Sequence, residues 1–257
     1  MDKDLKLDDC QLMFGDCLER MKEIPDGSID MILCDLPYNT TKLEWDNIIP
    51  FEPLWKQYNR IIKDNGAIVL FGAEPFSSLL RTSNLKMYKY DYVWIKTKAG
   101  NFALARKNPM KLHENIMIFY KKFPVYNLWN LTKLEKPILS SRKNKGANLG
   151  HCIDKGDYKQ EETGFHKTTL YFSNKSGKGY SYHPTQKPVA LLEYLIKTYT
   201  NENMIRLDNC MGSGSTGVAC INTNRKFIGI ELDEKYFDIS CKRIEDAINA
   251  KKQQLSF

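Results

Sequence analysis

The sequence predicts an α/β protein built on a doubly wound sheet. Three observations carry this expectation. Short apolar and β-branched runs of strand length alternate with stretches of helical periodicity. A glycine-rich segment, residues 208–217, lies between a strand and a helix. Residues 121–182 interrupt the alternation, as an inserted region would. A chain of 257 residues, 42% hydrophobic and 27% charged, is long enough to bury one sizeable core.

Each element follows from local chemistry. Ser28-Ile-Asp-Met-Ile-Leu-Cys34 is an apolar run ending in Asp35 and a proline turn, consistent with a buried parallel strand. Residues 51–63 carry Leu54, Tyr58, Ile61 and Ile62 at helical spacing, with Asn65-Gly66 as the stop signal. Ala67-Ile-Val-Leu-Phe71 reads as a second buried strand, and 90–96 and 115–120 as two more. From 121 to 182 periodicity fades and Lys, Asn, Gly and Ser cluster, which reads as a loop-rich insertion or a small subdomain. Order returns at His183. Pro188 opens a helix with Val189, Leu191, Leu192, Leu195 and Ile196 on its apolar side. Residues 204–208 form a short strand, 217–222 a helix and 227–231 a strand. A final amphipathic helix over 233–253 has its basic residues late, which suits the helix dipole.

Composition removes several function classes. No apolar run approaches the ~18–20 residues that span a bilayer, and MDKDLKLDD is too acidic and polar for a leader. The seven cysteines (10, 17, 34, 152, 210, 220 and 241) are never closer than seven positions, so no CxxC zinc or redox motif exists. Reduced thiols in a cytoplasmic protein are the expectation. The net charge of +7 is uneven: residues 81–150 hold 15 Lys and Arg against Asp91, Glu114 and Glu135, or +12. The remainder has 23 basic and 28 acidic residues, or −5. A basic middle suits a polyanion partner, although a solvated lysine face has the same composition.

Two motifs carry chemistry. Asp208-Asn-Cys-Met-Gly212-Ser-Gly214-Ser-Thr-Gly217 follows a strand, opens a helix and contains GxGxxG, and Glu231 ends the next strand 19 residues after Gly212. Glycines let backbone approach a ligand at a helix N-terminus, and an acidic strand end accepts both ribose hydroxyls. An adenosine-containing cofactor follows, either a dinucleotide or S-adenosylmethionine. Asp35-Leu36-Pro37-Tyr38 lies at a strand's carboxyl end, where open α/β sheets bind ligands. Asp35 and the Leu36 carbonyl can accept from an exocyclic amine, Pro37 stiffens the turn, and Tyr38 offers a ring for stacking. That set suits an NH2 group on a planar base attacking an electrophilic methyl.

DLPY resembles the DPPY motif of the DNA amino-methyltransferases, DNCMGSGST resembles their cofactor loop, and HPTQKP at 183–188 resembles the segment before that loop. Gly15-Asp16-Cys17, Asp64–Gly72 and Trp94…Lys96…Asn101-Phe102 leading to His113-Glu114 match as well. The motif order is the circularly permuted one of the beta class. The resemblance covers 12–120 and 183–240, and it implies a Rossmann-like S-adenosylmethionine-dependent methyltransferase fold. It divides the chain into a catalytic half (1–121), a target-recognition region (122–182) and a cofactor-binding half (183–257). It implies that Asp35, Leu36, Pro37 and Tyr38 bind the flipped base. Asp208, Gly212, Gly214 and Ser215 contact the methionine portion of the cofactor, and Glu231 the ribose. Asp16 and Cys17 border the adenine, and His183, Thr185 and Lys187 sit near the methionine carboxylate. Leu36 departs from the usual first proline but supplies the same carbonyl.

The activity implied is methyl transfer to N6 of adenine in double-stranded DNA by base flipping. N4 of cytosine is the near alternative, and Asp35 tilts the choice toward adenine because the cytosine enzymes more often carry Ser there. An NAD-dependent oxidoreductase would explain only GxGxxG. Cys34 lies within an apolar strand and reads as a structural thiol. His113, His151 and His166 lack metal-ligand spacing, and the reaction needs no metal. Lys133, Lys136, Arg142, Lys143 and Lys145 are the candidate DNA contacts. A homodimer and a separate restriction endonuclease are partners that the resemblance leaves open, and a membrane is not among them.

Overall fold

The computed structural model describes residues 3–39, 47–140, 158–174 and 186–255. His183, Thr185, Arg142, Lys143 and Lys145 lie outside the described residues. The first half comprises β1 (Leu5–Leu7), β2 (Cys10–Phe14), α1 (Cys17–Arg20), β3 (Ile29–Cys34), α2 (Phe51–Ile61), β4 (Ile62–Gly72), α3 (Phe76–Ser83), β5 (Tyr88–Gly100) and β6 (Lys111–Phe119). Three strands follow: β7 (Thr132–Ser140), β8 (Tyr158–Thr163) and β9 (Thr169–Tyr171). The chain closes with α4 (Val189–Tyr199), β10 (Ile205–Asp208), α5 (Ser215–Asn222), β11 (Lys226–Glu231) and α6 (Glu234–Leu255).

The chain divides into two units, 1–127 with 168–257, and 128–167. The larger contains a nine-stranded sheet ordered β1-β2-β11-β10-β3-β4-β6-β5-β9. Its centre, β2 to β4, is parallel, whereas β1 and β6 run antiparallel to their neighbours. The smaller contains the antiparallel pair β7–β8.

Period-two alternation sorts the sheet's side chains into two cores. Met31, Leu33, Val69, Ile116 and Ile118 share one core with Leu191, Leu195, Ala219, Phe237 and Ile244 of α4, α5 and α6. Their neighbours Ile32, Cys34, Leu70, Met117 and Phe119 share the other with Cys17, Leu54, Tyr58, Phe76 and Leu80 of α1, α2 and α3. Helices from the two halves of the chain thus cover opposite faces.

Several elements differ from expectation. β1, β2, α1 and α3 are additional. Helix α2 stops at Ile61, because Ile62 is already extended (φ −74°, ψ 136°), and β4 runs on through Asn65-Gly66. The ladder absorbs those residues: Ile29 pairs with Ile62 but Met31 pairs with Ala67. The region read as a loop-rich insertion or a small subdomain contains β7, β8 and β9. β9 rejoins the main sheet beside β5, and Asn127 is tied to α4, its N–H donating to Thr198 O (2.8 Å) and its Nδ2 to Lys197 O (2.9 Å). The second unit is accordingly shorter than 122–182 at both ends.

The connections decide where a ligand can enter. β3 leads through α2 to β4 on one side, and β10 leads through α5 to β11 on the other, while β3 and β10 pair in parallel. Chains leaving adjacent strand ends in opposite directions open a crevice there. Asp30 fixes the pair at its other end: Oδ2 accepts from Ile205 N (2.8 Å), and Oδ1 accepts from Lys63 Nζ (2.6 Å).

α5 meets α6 through a glycine. A Cβ on Gly217 would lie 2.5 Å from Ile244 Cδ1 and 2.9 Å from Phe227 Cε1. Gly217→Val should therefore overpack this contact and lower unfolding free energy by about 1–3 kcal/mol. Urea denaturation checks this, and unchanged stability would show that α5 can move away without cost.

Candidate active site

A cavity of about 510 Å³ opens at the carboxyl ends of β2, β3, β10 and β11, within the size range of small-molecule sites. Asp16, Cys17, Asp35, Leu36, Pro37, Tyr38, Lys187, Asp208, Gly212, Ser215 and Glu231, all read from the sequence, line its wall. Gly214 is not in the wall. It is the N-cap of α5 with φ +77°, and a Cβ there would meet Ser240 Cβ at 2.9 Å. Gly212, at φ +51°, faces open space, so its backbone can approach a bound molecule.

The loop after β10 is built from carboxylates that accept backbone donors. Asp208 Oδ1 accepts from Cys210 N (3.1 Å) and Oδ2 from Thr216 Oγ1 (2.6 Å). Glu231 Oε2 accepts from Gly212 N (2.7 Å) and Oε1 from Asp233 N (2.8 Å), so the end of β11 holds both its own exit and the glycine turn. Burial pushes the Asp208 carboxyl up to about 6, offset in part by Thr216 and Cys210, and burial likewise raises Glu231. Asp16 caps α1, its Oδ1 accepting from Leu18 N (2.9 Å) and Glu19 N (3.2 Å). Tyr58 of α2 reaches across the crevice floor and donates to Asn209 Oδ1 at 2.6 Å.

The DLPY turn is organised around Asp35. Tyr38 donates its hydroxyl to Asp35 Oδ1, and Lys187 donates its ammonium to Asp35 Oδ2. The Tyr38 ring packs on Phe76 with centroids 4.9 Å apart and planes 26° apart. Lys187, only 7% exposed, also lies 3.4 Å from Glu114 Oε2, and Glu114 is paired in turn with Lys96. Burial pulls the Lys187 pKa down, but the Asp35 and Glu114 charges outweigh it and leave the ammonium above its ordinary value. Burial raises the Glu114 carboxyl, and Lys187 and Lys96 together carry it below its ordinary value. Asp35, Glu114 and Lys187 thus meet in the cavity wall, with Lys96 behind Glu114.

This arrangement adds contacts that no motif showed. Lys187, expected beside a cofactor carboxylate, lines the cavity and also contacts Asp35 and Glu114. Glu114 and Lys96 had a motif but no role; their strands pair Trp94 with Glu114, which places them together. Phe76 and Tyr236 carry no sequence motif and reach the site through tertiary packing alone, whereas Asn209 lies in the DNCMGSGST motif but had no role. Cys34 is almost wholly buried, and burial pushes its thiol up to about 12, as expected of a packing residue. The Cys17 thiol is held below its ordinary value chiefly by a hydrogen bond from Cys210. In the smaller unit Lys133 and Lys136 stand exposed on β7. Among the described residues no group of three or more His, Cys, Asp or Glu could hold a metal ion, and no helix is long and apolar enough to cross a membrane.

Residues 29–242 match the family described as DNA methylase. The chain belongs to that family. Similar curated proteins include the type II methyltransferase M.HpaI of Haemophilus parainfluenzae, 27% identical over 94% of this chain and 76% of that protein. The DNA adenine methyltransferase YhdJ of Escherichia coli is 27% identical over 95% of this chain and 86% of its own. Among solved structures, the M1.HpyAVI–SAM complex superposes with a TM-score of 0.63 at 27% identity, covering 91% of this chain and 98% of that one. The cytosine-N4-specific PvuII DNA methyltransferase shares the fold, with a TM-score of 0.66 at 18% identity over 93% of this chain and 91% of its own. The fold of this DNA methylase is thus the Rossmann-like methyltransferase fold.

The raised carboxyl of Asp208 has a pH signature. A folded pKa above the unfolded one means that its contribution to stability is complete below about pH 4 and is lost as pH rises through about 6. Asp208→Asn removes the titration. The stability of wild type relative to this variant should therefore fall by about 2 kcal/mol between pH 4 and 7. Urea titrations across that range measure it, and a pH-independent difference would contradict the burial of a titrating carboxyl here.

Proposed function

We propose that the protein is a site-specific DNA methyltransferase that moves the methyl group of S-adenosylmethionine to N6 of adenine in duplex DNA. The observation that carries this reading is a shared cavity: the DLPY turn and the glycine loop with Glu231 face one space at the switch between β3 and β10. The residues suit the cofactor. Glu231 is a buried carboxylate with two backbone donors against about four acceptor sites, which leaves capacity for a ribose diol. Gly212 leaves room above its backbone, and Asp208 and Ser215 line the loop beside it. Asp16 and Cys17 complete the adenine end. The M1.HpyAVI–SAM complex supports the assignment. When bound, S-adenosylmethionine supplies a methyl group already activated on a sulfonium.

The chain's own part is to select and aim the amine. A base in a duplex cannot reach this crevice, so it must be extruded, at a cost of a few kcal/mol. Asp35 accepts one amine N–H and the Leu36 carbonyl the other, which leaves the nitrogen lone pair directed out of that plane. Tyr38 holds one Asp35 oxygen, and a carboxylate oxygen accepts two donors, so the amine can share it. Lys187 holds Asp35 in place, and Glu114 with Lys96 holds Lys187. Positioning supplies much of the acceleration.

Adenine is favoured over cytosine by Asp35 and by the similarity to a relative named as a DNA adenine methyltransferase. The exposed Lys133 and Lys136 support phosphate contacts by the 128–167 unit, which belongs to this reading together with Arg142, Lys143 and Lys145. The type II names of the relatives support a place in a restriction–modification system, with the endonuclease a separate chain and the enzyme a cytoplasmic protein, alone or as a homodimer.

Two substitutions separate the halves of the site. Asp35→Ala should abolish methyl transfer to DNA while leaving S-adenosylmethionine affinity close to wild type. Glu231→Ala should weaken cofactor binding by about 1.5–3 kcal/mol for each charge-assisted hydrogen bond lost. Calorimetry and tritiated-methyl transfer assays read both. Turnover by Asp35→Ala within about tenfold of wild type, or unchanged affinity in Glu231→Ala, would remove that residue from its role.

A further inference from the structure

We infer that the β5–β6 loop enters duplex DNA and that Phe102 fills the gap left in the base stack when the target is extruded. The inference rests on the DNA reading above and assigns the flipping step to a particular side chain. The loop is closed by the Gly100–Lys111 pair, and Lys111 lines the cavity, so the loop rises from its rim. At its start Asn101 turns left-handed (φ +66°) and presents Phe102, which is 81% exposed. Leu104 and Met110 in the same loop, and Leu112 at the start of β6, are also exposed. An apolar crest of this kind beside a ligand site marks a surface that a partner covers.

The loop is stiff enough to act as a wedge. Leu104 N donates to Asn101 O (3.1 Å), Ala105 N to Phe102 O (3.0 Å) and Lys107 N to Leu104 O (2.8 Å), which coils the tip on itself. Its stem is splinted from β9's side: Asn174 Oδ1 accepts from Lys98 N (2.9 Å) and Asn174 Nδ2 donates to Lys98 O (3.0 Å). A pre-ordered tip loses little entropy on binding.

Charge selects the partner. From Tyr92 to His113 there is no acidic residue, and Lys98, Arg106, Lys107 and Lys111 are exposed around the apolar crest. Basic side chains on phosphates with an apolar side chain between bases is how proteins unstack a duplex. An anionic lipid surface would also take a basic loop with an aromatic tip, but only DNA explains why the crest stands at the rim of the methyl-transfer cavity. Lys96 is excluded from this role because it is committed to Glu114.

Modified-base sequencing of DNA from cells expressing the wild-type protein supplies the target site, and oligonucleotide duplexes carrying it test the wedge. Phe102→Ala and Phe102→Trp are assayed on a fully paired duplex and on one with an abasic site opposite the target adenine, where extrusion is already cheap. Phe102→Ala should lower kcat/KM on the paired duplex by about tenfold or more. It should recover to within about threefold of wild type on the abasic duplex, a change of well under 1.4 kcal/mol. Phe102→Trp should retain activity on both, and cofactor affinity and Tm should be unchanged in either variant. Equal activity of Phe102→Ala and wild type on the paired duplex, or equal losses on both duplexes, would overturn the wedge. So would loss of co-sedimentation with phosphatidylserine vesicles without loss of transfer. If the wild-type protein itself modified no DNA, the DNA reading would fall first, and the wedge with it.

Discussion

β3 and β10 are hydrogen-bonded parallel neighbours whose chains must leave toward opposite faces of the sheet, and the site depends on that constraint. Parallel crossovers share one hand. Two that step in opposite directions along the sheet must therefore lie on opposite faces, and α2 and α5 pack into different cores. The backbone cannot fill the space between diverging chains. What remains is a crevice floored by strand ends, where side chains from both halves converge although Asp35 and Asp208 are far apart in sequence. The order of the motifs along the chain is irrelevant to this geometry, which explains how a permuted order builds the same site.

The crevice collects charge, and the structure balances it in two ways. In the cofactor half, Asp208 and Glu231 are compensated by backbone N–H groups and one hydroxyl, an incomplete compensation that leaves both carboxyl groups with raised pKa values. In the base-binding half, Asp35 and Glu114 are compensated by full charges on Lys187 and Lys96, and Glu114 stands below its ordinary value. The first arrangement suits a carboxylate that must accept donors from an entering cofactor. The second holds Asp35 fixed, so that on the proposed reading no reorganisation is needed when the base arrives. A buried ion network of this kind adds little stability by itself; its value lies in placing Asp35.

Much of this was legible in the sequence because the site is built from local turns. DLPY and DNCMGSGST each encode strand end, turn and ligand-facing groups within ten residues, so motif and resemblance marked Asp35, Asp208 and Gly212, and the spacing from the glycine loop marked Glu231. The buried strands were equally legible from unbroken apolar runs such as IVLF. What escaped was set by tertiary contact. Asn65-Gly66 carries a strong stop signal, yet pairing with β3 overrides it and carries the chain through as strand. Lys187 sits in a motif associated with the cofactor, and its contacts with Asp35 and Glu114, more than 70 residues away, arise only in the fold. Phe102 was visible as part of a match and as one of several aromatics beside the basic region, but its exposure near the cavity rim is a property of the fold.

The central claim is that this crevice methylates the exocyclic nitrogen of adenine in DNA. The most direct measurement is mass spectrometry of the nucleosides released from unmodified duplex DNA after incubation with purified protein and isotopically labelled S-adenosylmethionine. The account predicts labelled N6-methyldeoxyadenosine, at one sequence context and absent without protein. Label in N4-methyldeoxycytidine, or no label in any nucleoside, would contradict it.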